Sequence, residues 1–90
     1  MDGYEWDPAK AAANFKRHGV HFADAALALE DVRALTTSDP DACGEQRFIC
    51  LSADPLGRVL VTVFAHRGGN IRIISSREAS PAERLRYEEG

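Results

Sequence analysis

Polar residues Lys10, Asn14 and His18 recur at every fourth position, and Phe22, Ala26 and Leu29 follow at helical spacing, so the first third of the chain predicts two short helices. Their limits are legible. Asp7 can cap the first helix as an acceptor, Pro8 suits the first helical position, and Gly19 supplies a left-handed stop. Beyond them, Val32 to Thr37 reads as a possible strand, and Ser38 to Gly44, rich in Ser, Asp, Pro and Gly, reads as a loop. From Gln46 the period changes to two. Arg47 to Ala53 predicts a strand, and Asp54-Pro55-Leu56-Gly57 has the composition of a type I turn. Val59, Val61 and Val63 then alternate with Leu60, Thr62 and Phe64, which makes that strand apolar on both sides and central. Gly68-Gly69-Asn70 makes a hairpin loop into Ile71 to Arg77. Ser80-Pro81-Ala82-Glu83 is a capping box that opens a last helix carrying Arg84, Tyr87 and Glu88.

This order of elements predicts an α+β domain. Two N-terminal helices pack on an antiparallel sheet of three to four strands, and a C-terminal helix closes the chain. Helices covering one face of the sheet leave the other for solvent or a ligand. With 90 residues the chain forms one domain, 1–90, large enough for a modest core without staples. No apolar run approaches the ~20 residues of a membrane span and no signal-peptide pattern opens the chain, so the expected location is the cytoplasm. Cys43 and Cys50 lack C-x-x-C spacing and are expected as reduced thiols.

Charge alters the picture, because the formal net charge of -3 is unevenly placed. Residues 1–45 hold four Lys or Arg against nine Asp or Glu, whereas residues 46–90 hold seven Arg against five acids. All cations of the second half are arginines, whose planar fork of donors suits phosphate oxygens. At about 100° per residue, Lys10, Asn14 and His18 share an arc of about 80° on their helix. A lysine in the first turn opposes the helix dipole, so local stability does not account for Lys10, whereas His18 in the last turn is favoured as a cation.

These residues resemble a known family, the BrnT-like toxins of bacterial type II toxin-antitoxin systems. The resemblance is carried by Glu5-Trp6-Asp7 with Lys10, Asn14 and His18-Gly19-Val20, then Phe22, Ala25, Glu45 and Arg47-Phe48. Ile71-Arg72-Ile73-Ile74-Ser75-Ser76-Arg77 and Glu83 with Tyr87 complete it. The family pattern usually has Ile-Ser-Ala-Arg where this chain has Ile74-Ser75-Ser76-Arg77. The resemblance implies a RelE-like fold and a ribonuclease that arrests translation. It also implies a cognate antitoxin with a ribbon-helix-helix DNA-binding domain, so that DNA is reached only through the antitoxin. An acidic protein acting on RNA must gather its positive potential on one face, since exposed charges are screened over ~8–10 Å.

The residue types narrow the chemistry further. No His, Cys or carboxylate cluster has metal-ligand spacing, so neither metal nor cofactor is expected, and the substrate's own 2'-hydroxyl is the expected nucleophile. The protein then supplies proton transfer and cations for the phosphorane charge. His18 is the preferred acid or base, with Tyr87 as another proton-exchanging candidate. His66 is expected to be structural. Arg47, Arg67, Arg72 and Arg77 are the phosphate-holding candidates, and Lys10, Asn14 and Lys16 are the RNA-binding ones. Strand parity limits their convergence, because Arg72 and Arg77 are five residues apart and a regular strand points them to opposite faces. The alternative reading, favoured by the acidic balance, is a non-catalytic module of the same fold that only binds a partner protein.

Overall fold

The computed structural model describes residues 3–90. Its elements are β1 (Tyr4–Glu5), α1 (Pro8–His18), α2 (Phe22–Ala28), β2 (Leu35–Ser38), β3 (Phe48–Ala53), β4 (Val59–Arg67), β5 (Asn70–Glu78) and α3 (Pro81–Glu89). The caps read from sequence are formed. The Asp7 carboxylate accepts from the Ala9 amide at 2.9 Å, and Gly19, at φ 70°, donates its amide to the Phe15 carbonyl at 2.8 Å. Ser80 and Glu83 close the capping box of α3 reciprocally.

The sheet has five strands in the order β1-β5-β4-β3-β2, which corrects the expected three or four. It is also mixed. β1 precedes the two N-terminal helices and pairs parallel with β5, Tyr4 opposite Ile71 and Glu5 opposite Arg72, while the other pairs are antiparallel. Two residues have no readable period, which is why β1 leaves no trace in the hydrophobic pattern. β2 begins at Leu35 rather than Val32, whose side chain is fully exposed in the preceding turn.

The apolar-on-both-sides pattern of β4 is explained by two cores. On one face Leu60 and Ile73 pack with Val20, Phe22, Ala25, Ala26 and Ala28 beneath α1 and α2. On the other, Val59, Val61 and Leu51 pack with Tyr87 of α3. The second face is therefore not wholly open, since α3 closes one end and leaves a cleft beside it. The β3–β4 turn is anchored by the buried Asp54, whose carboxylate accepts from the Leu56 and Arg58 amides and from the Arg58 guanidinium. Arg58 also donates to the Gly19 carbonyl at 3.1 Å, tying the end of α1 to this turn.

One irregularity decides where the arginines point. On β4 the residues Val63 and Phe64 are adjacent, but their partners on β5 are Ser75 and Ile73, so Ile74 is bulged out without a partner. Arg72 then lies opposite Ala65 and Arg77 opposite Val61. Ala65 and Val61 are an even number of residues apart and share a face, so Arg72 and Arg77 share it too. The opposite-face expectation of a regular strand is overturned, because a bulge inserts one residue into the alternation.

Candidate functional site

The C-terminal end of α1 reaches the open edge of β5 where β1 has already ended, and there the chain forms a cleft of about 550 Å³. Arg17 and His18 line it from α1, Ser75 and Arg77 from β5, and Glu83 from α3, over a floor that includes Ile49, Val61 and Val63. A shallower groove of about 220 Å³ lies along α1 past Lys10 and Arg17 to His18, Ile74 and Ser75. Arg17, His18 and Ser75 belong to both, so the groove runs into the cleft.

Arg77 is held rather than free. Its guanidinium donates to both carboxylate oxygens of Glu83, at 2.8 and 3.0 Å, and Glu83 also accepts from the Ser80 amide at 2.8 Å. The Arg77 pair and that amide hold the Glu83 carboxyl down to about 2, so this carboxylate is charged at neutral pH and orients Arg77. The fork geometry leaves the guanidinium planar and 45% exposed.

Arg47, Arg67 and Arg72 gather at another end of the sheet. Arg67 donates to Glu45 at 2.9 Å and Arg72 donates to Glu5 at 2.9 Å. The Arg67 hydrogen bond, with the positive fields of Arg67, Arg47 and Arg72, lowers the Glu45 carboxyl. Bonds from Arg72 and Asn70 lower Glu5 likewise. Four strand positions separate Ala65 from Val61, so the strand positions of Arg72 and Arg77 are roughly 13 Å apart at ~3.3 Å per residue. The arginines of β4 and β5 thus share one face but fall into two groups, and of the sequence candidates for catalysis only Arg77 and His18 line the cleft.

Three candidates have other contacts. Asn14 is buried at 8% exposure, donating to the carbonyls of Val20 (3.1 Å) and Ser76 (2.8 Å) and accepting from the Ser76 amide (3.1 Å). It touches the floor of the groove, but both amide hydrogens and its carbonyl oxygen are engaged by the backbone. Tyr87 is buried at 7% exposure outside the cleft lining, and its hydroxyl donates to Asp31 while Arg33 stacks over its ring at 5.3 Å. Lys16 is exposed and sits about 120° round α1 from Lys10, away from the groove. His66, expected as structural, sets its ring edge-on to Phe48 and Phe64 on the sheet face opposite the arginines.

Arg17 and Ser75 were missed by sequence reasoning. A signal existed for Arg17, which is seven residues from Lys10 and therefore within about 20° of it on the helix. Ser75 had none, because its orientation follows from the bulge. Among the described residues no group of three or more His, Cys, Asp or Glu side chains converges on a metal-sized site.

Residues 6–83 match the family described as the ribonuclease toxin BrnT of type II toxin-antitoxin systems. Among solved structures, the crystal structure of the Brucella abortus ribonuclease toxin BrnT is similar at a TM-score of 0.61, with 24% identity over 83% of this chain and 92% of that one. That likeness carries the fold. No match is found among curated proteins. With the family match spanning most of the chain, including α1, α2 and the arginine-bearing strands, this chain belongs to the BrnT family of ribonuclease toxins of type II toxin-antitoxin systems.

Proposed function

We propose that this chain is a metal-independent endoribonuclease whose cleft beside α3 cleaves RNA, arresting translation in the cytoplasm until a cognate antitoxin neutralises it. The observation that carries the proposal is the convergence of Arg17, His18, Ser75 and Arg77 on one cleft, with Lys10 on the groove leading in. In the reaction the substrate 2'-oxygen bonds to phosphorus as the bond to the 5'-oxygen breaks, leaving a cyclic phosphate and a 5'-hydroxyl. One proton leaves the attacking hydroxyl and one joins the leaving oxygen. His18, the imidazole of the cleft, carries one of these transfers, and solvent carries the other. Arg77, held in plane by Glu83, and Arg17 meet the charge that develops on the phosphorane. Arg47, Arg67 and Arg72 hold flanking phosphates, Arg67 and Arg72 after exchanging their carboxylate partners for RNA.

The partner that fits this role is an antitoxin with a ribbon-helix-helix DNA-binding domain, so DNA contact is indirect. Metal-free cleavage is supported by the donor set, since the cleft offers one imidazole and one carboxylate, the latter engaged by Arg77. The test is cleavage of RNA by the purified chain, with and without ribosomes and with a chelator, alongside Arg77→Ala and His18→Ala. Cleavage that survives chelation and falls in both variants supports the reading. Intact RNA under every condition, with a partner protein still bound, would establish the interaction module instead, a reading favoured by the carboxylates that already occupy Arg67, Arg72 and Arg77.

A further inference from the structure

Among the described residues, Asn14 is the buried side chain of α1, and it grips the backbone of β5. It holds Ser76 by both its amide and its carbonyl and reaches the Val20 carbonyl with its remaining donor. Ser76 follows the bulge at Ile74 by two residues and immediately precedes Arg77. Its side chain adds a second tie, because the Ser76 and Thr62 hydroxyls are bonded at 2.9 Å and both residues are buried. Extending the Ile73–Phe64 register without a bulge would set Ser76 opposite Val61 and Arg77 opposite Leu60. Leu60 is fully buried beneath α2, where a guanidinium has no partner. A one-residue slip would thus take Arg77 out of the cleft.

We infer that Asn14 is a positioning residue for Arg77: by clamping both backbone groups of Ser76 it holds the bulge at Ile74, and the bulge aims Arg77 into the cleft. The inference rests on the proposed role of Arg77 in cleavage for its consequence, but not for its geometry. A carboxamide suits the position because it presents an acceptor and two donors together, matching one amide and two carbonyls. Aspartate keeps the acceptor and turns a carboxylate oxygen toward two carbonyl oxygens. Serine cannot span both groups of Ser76.

The experiment is a double-mutant cycle on RNA cleavage with backbone register read by NMR. Arg77→Ala is expected to lower cleavage roughly 10²-fold. Asn14→Asp and Asn14→Ser, assayed as folded protein, are expected to lower it to within about threefold of that value and to add nothing in the Arg77→Ala background. Their cross-strand contacts should lose the Arg77–Val61 pairing seen in the parent. Losses that multiply between Asn14 and Arg77, or a variant that keeps the Arg77–Val61 pairing, would overturn the inference. In the unmodified protein the Ser76 amide should exchange with solvent as slowly as the core of β4, and exchange at the rate of the 68–69 turn would overturn it as well. An unchanged rate in Arg77→Ala sinks the cleavage reading, while the register of the Asn14 variants still decides the clamp.

Discussion

Glu83 joins Arg77 through two parallel hydrogen bonds while capping α3 through the Ser80 amide, so one carboxylate fixes both the cleft arginine and the start of the helix beside it. Glu83→Gln keeps the shape of the cap but leaves Arg77 with a neutral acceptor. Cleavage is expected to fall about tenfold, with most of the loss in kcat, if the arginine meets the charged transition state as proposed. Acid dependence follows from the same contact. The carboxyl is lowered to about 2 in the folded chain, so its contribution to stability is complete above the ordinary carboxylate range and disappears as pH falls through about 2. The difference in Tm between the parent and Glu83→Gln should therefore be greatest near neutrality and shrink between about pH 5 and pH 2, as scanning calorimetry can measure.

Lys10 and His18 should separate stability from activity. Lys10 occupies the first turn of α1, where a cation opposes the dipole that the Asp7 carboxylate at the N-cap favours. Lys10→Ala is expected to leave the Tm unchanged or slightly higher while weakening RNA binding two- to fivefold. His18→Ala should lower cleavage by about 10²-fold or more with RNA affinity retained, the pattern of a lost proton-transfer group. Binding titrations beside single-turnover cleavage distinguish the two.

On the proposed reading, the paired carboxylates at the other end of the sheet compete with RNA. Glu45 accepts from Arg67, and Glu5 from Arg72, so each must be displaced before its arginine can meet a phosphate. Glu45→Gln frees Arg67 and should tighten RNA binding two- to fivefold at low salt. The slope of log affinity against log salt should steepen by ~0.7, one more phosphate contact on a single strand. The Tm should barely move, because the Arg67–Glu45 pair is largely solvent-exposed.

The features legible in sequence are those carried by local chemistry. Asp7, Pro8 and Gly19 bound α1 because capping and left-handed backbone are properties of single residues, and Ser80 with Glu83 opens α3 for the same reason. The alternating valines of β4 announce a strand buried on both faces, as the two cores show. What strand parity misjudged depends on pairing. Arg72 and Arg77 share a face only through the bulge at Ile74, which is set by contacts from Asn14 and Thr62 far away in sequence. The stripe of Lys10, Asn14 and His18 was visible and all three border the groove, but its meaning divides: the Asn14 amide is spent on holding β5, while Lys10 and His18 are exposed.

Tyr87 tests that division from the opposite side, as a residue of the family resemblance whose contacts are structural. Its hydroxyl donates to Asp31, whose carboxylate also accepts from the amides of Ala53 on β3 and Arg33 in the turn before β2. Burial pushes the Asp31 carboxyl up, but the Tyr87 hydroxyl and these two amides outweigh it and leave it lowered. The same hydrogen bond, with burial, raises the Tyr87 phenol, so it remains protonated at neutral pH and is poorly suited to act as a base. Tyr87→Phe removes one donor to a charged acceptor and should destabilise the fold by about 1–2 kcal/mol. Asp31 then loses part of what holds it ionised, so the stability it contributes above the ordinary carboxylate range begins to fail at a higher pH as acid is added. Urea unfolding at pH 7 and pH 4 should show both effects, while cleavage per folded molecule stays within twofold of the parent. A loss of cleavage beyond tenfold with stability intact would return Tyr87 to the reaction.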